Sequence, residues 1–181
     1  ALNLKGLAYR QVPVHLVKDG GQQRAADYRA LNPQQLVPLL VDEANGGARI
    51  SQSLAILEYL DEVFPVPALL PADPVERAQV RSLAMHIACE IHPLNNLRVL
   101  QYLKREHGLQ QPDIDGWMLH WMREGLAALE TLLAASPDAG AASKAAWGSA
   151  GTSGSASGGG SGAAIGRASR AAMRSSSSTT P

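Results

Sequence analysis

The composition of this chain changes abruptly near residue 135, and that change limits how much of it can fold. Residues 136–181 hold 12 Ser, 12 Ala and 9 Gly, 33 of 46 positions, with Trp147, Ile165 and Met173 as their large apolar residues. Such a stretch buries too little surface to offset the entropy of ordering it. The sequence therefore predicts a disordered Ala/Gly/Ser-rich tail over 136–181 and a folded body over 1–135. Charge divides at the same place. The tail sets Lys144, Arg167, Arg170 and Arg174 against Asp138, a net +3, which leaves the body at −3 with 12 basic and 15 acidic residues. A mildly acidic body argues against a nucleic-acid partner, and four scattered cations do not make a basic arm. The tail's sudden onset and its GC-rich-codon composition suggest an out-of-frame stretch.

One cysteine, Cys89, rules out an intramolecular disulfide framework and fits a reducing, cytoplasmic setting. No apolar run approaches 18 residues, so the expectation is no membrane segment. Ala1-Leu2-Asn3-Leu4-Lys5-Gly6 reads as the last turn of a helix with Gly6 just past its end, which implies residues upstream.

Tyr9–Val14 alternates like a strand, with Pro13 favouring an edge. Ala25–Leu31 is a short helical candidate stopped by Asn32-Pro33. Leu36–Asp42 reads as a strand, Asn45-Gly46-Gly47 as a turn and Ala48–Ser51 as the returning strand. Ser53 is expected to cap a helix running to about Val63. Phe64-Pro65-Val66-Pro67 marks a linker. Asp73-Pro74-Val75-Glu76 opens a second block with an acidic cap, proline at the first helical position and Glu three residues after the cap. Val80, Leu83, Ala84, Ile87, Ala88 and Ile91 then recur at helical spacing, Pro93 should kink the helix, and Leu94, Leu97, Leu100 and Leu103 continue its face. A last helix is expected over about Asp115–Ala135. The blocks are 1–65, mixed α/β, and 71–135, all helix.

Two short patterns carry chemistry. Pro38 interrupts a strand and removes a ladder donor, and Gln52-Ser53 brings an amide and a hydroxyl to a helix N-terminus. Together they suit a groove for a short peptide-like anion. Each has a plainer reading, Ser53 as a simple cap and Pro38 as an edge residue. His86, Cys89, Glu90 and His92 share no helix face, so no metal site is expected. Cys89 is read as a small buried hydrophobe, and Trp117 and Trp121 as core neighbours one turn apart. His92 could face a cleft or make a local hydrogen bond. Arg98 could meet a carboxylate or lie on a solvated face.

Beyond these readings, the segments Ala-Leu-Asn-Leu-Lys-Gly, Leu31-Asn32-Pro33-Gln34-Gln35-Leu36-Val37-Pro38, Gln52-Ser53-Leu54-Ala55-Ile56-Leu57-Glu58-Tyr59-Leu60 and Ile91-His92-Pro93-Leu94-Asn95-Asn96-Leu97-Arg98-Val99-Leu100 resemble the zeta class of glutathione transferases. The resemblance covers 1–135, and the His-Pro-Leu-Asn-Asn-Leu-Arg run is its most specific part. It implies an α/β thioredoxin-like N-terminal domain, here without its first strand and most of its first helix, followed by an incomplete all-α glutathione-transferase C-terminal domain. It further implies glutathione as cofactor, a small dicarboxylate substrate and a homodimer.

By the same resemblance the bond before Pro38 is cis and Val37 meets the cysteinyl part of glutathione. Gln52 and Ser53 hold its γ-glutamyl end, Gln23 makes another contact, and His92, Asn96, Leu97 and Arg98 contribute from the helical domain. The implied reaction is isomerisation of maleylacetoacetate to fumarylacetoacetate through addition and loss of the glutathione thiolate. The family's thiolate-stabilising Ser-Ser-Cys- or Ser-Ser-Ala-type motif precedes the segment matched by Ala1, so no catalytic residue is assigned within 1–181, and weak or no glutathione binding and no isomerase activity are expected of these residues. The alternatives are a maleylpyruvate isomerase and a non-catalytic glutathione-transferase-like binding module.

Overall fold

The computed structural model describes residues 1–135 and the strand 162–168. The chain divides between Leu70 and Pro71 into two compact units, and the strand 162–168 belongs with the first.

The first unit opens with a helical turn that closes as its sequence predicts. Gly6 sits at φ 64°, the Leu7 N–H donates to the Leu2 carbonyl, and the Gly6 N–H to the Asn3 carbonyl. These two bonds are the Schellman pattern, which needs a left-handed residue at the glycine. There follow β1 (Tyr9–His15), α1 (Ala26–Leu31), β2 (Leu39–Asp42), β3 (Ala48–Ser51) and α2 (Ser53–Val63). Strands β2 and β3 form the expected hairpin, Leu39 opposite Ser51 and Asp42 opposite Ala48.

The strand β2 is buried along its whole length. Its period of two sends alternate side chains to opposite faces of the sheet. Leu39 and Val41 join Val14 and Tyr28 in one cluster, while Leu40 joins Leu60 and Phe64 in another. The helix α1 therefore packs through Tyr28 on one face, and α2 packs through Leu60 on the other.

Within the stretch expected as a structureless tail, the described residues include a strand, β4 (Gly162–Ala168). The sheet has four strands in the order β1-β4-β2-β3. The strand β4 runs antiparallel to β1 and parallel to β2. The rest of the expected tail lies outside the described residues.

Two carboxylates tie the unit together, the buried Asp42 and the half-buried Asp61. Asp42 accepts hydrogen bonds from the Ala44 and Asn45 N–H groups, the Asn45 amide and the Tyr59 hydroxyl. Burial alone would raise its pKa, but those donors outweigh burial and hold it below the usual carboxylate value. Asp61 clamps the linker. Lys5 Nζ lies 2.8 Å from Asp61 Oδ1 and also donates to the carbonyls of Phe64 and Pro67, while Asp61 accepts from the Leu69 and Leu70 N–H groups. The Lys5 side chain is fully buried. At Asp61 burial again raises the pKa, and the Lys5 hydrogen bond, the Leu69 N–H, the Lys5 charge and the Leu70 N–H together lower it.

The second unit holds α3 (Pro74–Met85), a π-helical stretch His86–Ile91, α4 (Leu97–His107) and α5 (Gln111–Ala135). Asp73 caps α3 as its sequence predicts, accepting from the Val75 and Glu76 N–H groups. Pro93 was expected to kink one continuous helix, but the helix instead widens and stops. A proline ring presses on the carbonyl four residues back. Here the preceding residues open to π geometry, with the His92 N–H reaching the Ile87 carbonyl. Asn96 then starts α4 as a new N-cap. Cys89 and Ile87, expected on a buried face, are exposed. The Trp117 and Trp121 rings meet edge-to-face at 5.8 Å, and Trp117 Nε1 donates to the Leu94 carbonyl. Gly125 of α5 faces Ile91, where a Cβ would come within 2.3 Å of Ile91 Cγ1, and its carbonyl lies 2.9 Å from His86 Nε2.

Removing one partner of a buried pair leaves the other charge uncompensated, so Lys5→Ala should destabilise the first unit by about 3 kcal/mol in urea denaturation. Asp61 has a depressed folded-state pKa, so its contribution is present above the unfolded value near ~3.9 and is lost as pH falls through the folded value. Stability measured from pH 6 downward should fall less steeply in Asp61→Asn than in the native chain. In the second unit, Gly125→Ala should cost about 1–3 kcal/mol through overpacking, followed by tryptophan fluorescence. Trimming the neighbour with Ile91→Val should recover part of that loss.

Candidate functional site

The site grows from the connection between α1 and β2. Asn32 ends α1, is 3% exposed, and uses both ends of its amide. Its Nδ2 donates to the Leu36 carbonyl at 2.8 Å and its Oδ1 accepts from the Gln34 N–H at 3.1 Å. The Tyr28 hydroxyl donates to the same Leu36 carbonyl at 2.6 Å. Burial pushes the Tyr28 phenol's pKa up, with the hydrogen bond to Asn32 acting against it, so Tyr28 stays a neutral donor. Gln35 adopts a left-handed φ of 56° between these anchors. The loop thus delivers Val37 and Pro38 from a fixed carbonyl, and the Val37–Pro38 bond is cis, as the resemblance implied.

The hairpin register supplies the second half. Leu39, directly after Pro38, pairs with Ser51, directly before Gln52. This brings Val37-Pro38 and Gln52-Ser53 side by side at one end of the hairpin. Pro38 and Ser53 also line one open cavity of about 390 Å³, with Tyr9, Gln11, Ile56 and Leu57 among its walls. Gln52 is the N-cap of α2, at φ 70° and ψ 120°, and its side chain does not cap the helix. Its Nε2 donates instead to Gln34 Oε1 at 2.9 Å. Ser53, expected to be the cap, is the first helical residue. Its hydroxyl therefore stands beside the leading N–H groups of α2, which carry the positive end of the helix dipole. An exposed amide, a hydroxyl and a helix N-terminus form a donor set that fits a carboxylate.

Gln23 is positioned differently. It lies in the turn Gln22–Arg24, is 7% exposed, and donates from Nε2 to the Leu16 carbonyl, while its Oε1 has no hydrogen-bond partner among the described residues. Its amide is turned inward. In the second unit, His92 and Arg98 are exposed, and Asn96 spends its side-chain oxygen on the Arg98 N–H at 3.1 Å as the cap of α4, with Leu97 as its first residue. These four residues cluster about the break that Pro93 imposes. Sequence reasoning did not single out Tyr28, Asn32 or Gln34, although Asn32-Pro33 marks a helix stop and the anchoring Asn stands there.

Residues 1–63 match the family described as glutathione S-transferase, N-terminal domain. Residues 1–63 thus carry the N-terminal domain of the glutathione S-transferases, and the chain is similar to zeta-class enzymes. It is 47% identical over 133 residues to a probable maleylacetoacetate isomerase of Vibrio cholerae, a match covering 74% of this chain and 60% of that protein. It is 46% identical over 140 residues to a maleylpyruvate isomerase of a Ralstonia species, covering 77% and 64% respectively. The holo structure of a maleylpyruvate isomerase, a bacterial zeta-class enzyme, superposes with a TM-score of 0.70 at 45% identity, covering 76% of this chain and 62% of that one. A maleylacetoacetate isomerase of Methylobacterium extorquens AM1, solved with malonate and glutathione, gives a TM-score of 0.69 at 42% identity, covering 75% and 62%. The chain thus spans about three-fifths of the length of the relatives it matches. The first unit is the thioredoxin-like domain of this family, and the helices of the second follow it as in the relatives.

The conformation at Gln52 costs a non-glycine residue about 1–3 kcal/mol, a strain often held at functional positions. Gln52→Gly should therefore be more stable than Gln52→Ala by about 1 kcal/mol in thermal unfolding, since alanine keeps the strain and loses the amide. Equal stabilities would show that the backbone there is unstrained.

Proposed function

We propose that the first unit binds glutathione, and that the protein works as a glutathione-dependent cis–trans isomerase of maleylacetoacetate. The observation that carries this reading is the side-by-side placement of the cis Val37–Pro38 corner and the Gln52–Ser53 helix start. Val37 would meet the cysteinyl part of the tripeptide with main-chain groups. Gln52 and Ser53 would hold the γ-glutamyl carboxylate, with Gln34 orienting the Gln52 amide. Glutathione, when bound, supplies the thiolate that adds to and leaves the cis double bond. Binding and orientation are the tasks assigned to these residues, and activation of sulfur is assigned to none of them. Arg98, His92, Asn96 and Leu97 would serve the carboxylate end of a dicarboxylate substrate. Gln23 would support the turn beside the site through its buried amide. A cytoplasmic homodimer acting in tyrosine and phenylalanine breakdown completes the proposal.

The 46% identity to a maleylpyruvate isomerase supports a second substrate of the same chemistry. Titration with glutathione, followed by amide chemical shifts, should move Val37 and Leu54 first. Ser53→Ala should weaken binding roughly tenfold, the equivalent of one hydrogen bond to a charged group at about 1.4 kcal/mol. Shifts confined to the second unit, or none at millimolar glutathione, would refute the site. The relative rates of maleylacetoacetate and maleylpyruvate isomerisation decide between the substrates.

A further inference from the structure

We propose that His15 is a positioning residue: its neutral imidazole caps the loop 16–24, the loop sets the start of α1, and proton uptake by the ring loosens the Val37–Pro38 corner that α1 aims. His15 is the last residue of β1 and the one histidine within residues 1–70. Its Nδ1 accepts from two backbone N–H groups, that of Val17 at 3.2 Å and that of Lys18 at 2.9 Å. These donors stand two and three residues on, the pair that an Asn or Asp side-chain oxygen gathers at a turn or cap. A ring nitrogen that accepts carries no proton, so the imidazole is neutral with its hydrogen on Nε2. A protonated ring has N–H on both nitrogens and would turn a donor toward two donors. Histidine is the side chain whose charge ordinarily changes between pH 5 and 8, so this contact answers to that range.

The loop closes as one piece around this cap. Asp19, Gly20 and Gly21 hold left-handed φ angles of 55°, 78° and 102° in succession. The His15 N–H donates to Gln22 Oε1 at 2.8 Å, and Gln23 Nε2 reaches back to the Leu16 carbonyl at 3.2 Å. At Gly21 a Cβ would come within 2.7 Å of both Gln23 Nε2 and the Leu16 carbonyl, so the Gln23 amide lies directly against the glycine. The loop enters α1 through Ala25, whose N–H donates to the Gln22 carbonyl. That helix carries Tyr28 and ends at Asn32, the two residues that hold the Leu36 carbonyl. Leu16 and Val37 pack against the same buried cluster, so both ends of this path rest on one layer. The titratable and charged residues of the elements packed here are Tyr9 and Arg10 of β1, Lys18, Asp19 and Arg24 of the loop, and Asp27, Tyr28 and Arg29 of α1. The strand β4 sets the uncharged Gly162 opposite His15. Four cations outnumber two carboxylates, so a protonated ring meets net positive surroundings while it loses both N–H contacts. The effect on a ligand site rests on the glutathione reading, while the cap and the path to Val37 do not.

The test follows backbone amide shifts and exchange protection of the full chain without glutathione, from pH 7.5 to 5.5, beside His15→Asn and His15→Ala. Asparagine can accept from the same two N–H groups and takes up no proton, so it keeps the cap at both pH values. In the native chain the ring-nitrogen shifts at pH 7.5 should show hydrogen on Nε2 and none on Nδ1. On acidification the Val17 and Lys18 amides should move with one common midpoint, and those of Gln34 and Val37 with them. Protection at Val17 and Lys18 should fall at least threefold. His15→Asn should hold all four amides still, and His15→Ala should show the acid pattern at both pH values. A proton on Nδ1 at pH 7.5 overturns the cap, as do Val17 and Lys18 amides that titrate alike in His15→Asn. Movement confined to residues 15–24 overturns the link to the corner. Glutathione affinity at pH 7.5 is a separate arm, expected to weaken at least threefold in His15→Ala and to stay within twofold of native in His15→Asn. Equal affinity in the native chain and His15→Ala overturns the effect on the site. No binding by the native chain sinks the glutathione reading instead, and the amide titration then decides the proposal.

Discussion

The first unit depends on four residues, Leu39-Leu40-Val41-Asp42, buried on both faces of a sheet. Burial on two sides forces every alternate side chain into a different cluster, so one strand fixes α1 and α2 at once. The same strand sets the site. Its first residue follows the cis proline, and its antiparallel partner leads directly into Gln52. A slip of one residue in this hairpin would exchange the two clusters and separate Val37-Pro38 from Gln52-Ser53. Asp42 guards against that slip, because its carboxylate gathers the turn's N–H groups and the Tyr59 hydroxyl at the far end of the strand.

Polar residues then do what apolar packing cannot, which is to aim the backbone. Asn32 and Tyr28 converge on one carbonyl, that of Leu36, and so fix the direction from which Val37 arrives. Gln34 ties that loop to Gln52 across the site. Lys5 and Asp61 perform a similar task at the exit of the unit, where the chain leaves α2 through the proline-rich linker. In the second unit, buried apolar side chains are few, namely Ile91 and Ile114 among the described residues. There a close helix contact at Gly125 and a histidine–carbonyl contact from His86 hold α5 to the π-helical stretch.

Local signals in the sequence were reliable where the physics is local. The Gly6 terminus, the Asn45-Gly46-Gly47 turn and the Asp73-Pro74 start each need only nearby backbone groups, and each is found where its residues stand. Readings that depended on which face a residue would show fared worse. Cys89 and Ile87 looked buried on helical periodicity, but the widening before Pro93 shifts the face that Ile91 presents. Ser53 looked like a cap, yet the strained Gln52 takes that place and Ser53 becomes the first helical residue. Glycine- and alanine-rich composition hid β4, because it gives no pattern of its own and forms only between two strands already in place.

By itself the sequence determined the two-block organisation, the helix starts and stops, the hairpin, and the Val37-Pro38 and Gln52-Ser53 pairs that resemble the zeta class. These follow from residue chemistry acting over a few positions. Only the tertiary structure decided that the two pairs lie side by side, that Asn32, Tyr28 and Gln34 aim them, and that residues 162–168 enter the sheet. Each of those is a relation between distant segments, set by strand register and by the need to pair buried main-chain groups. No local pattern of residues carries that information.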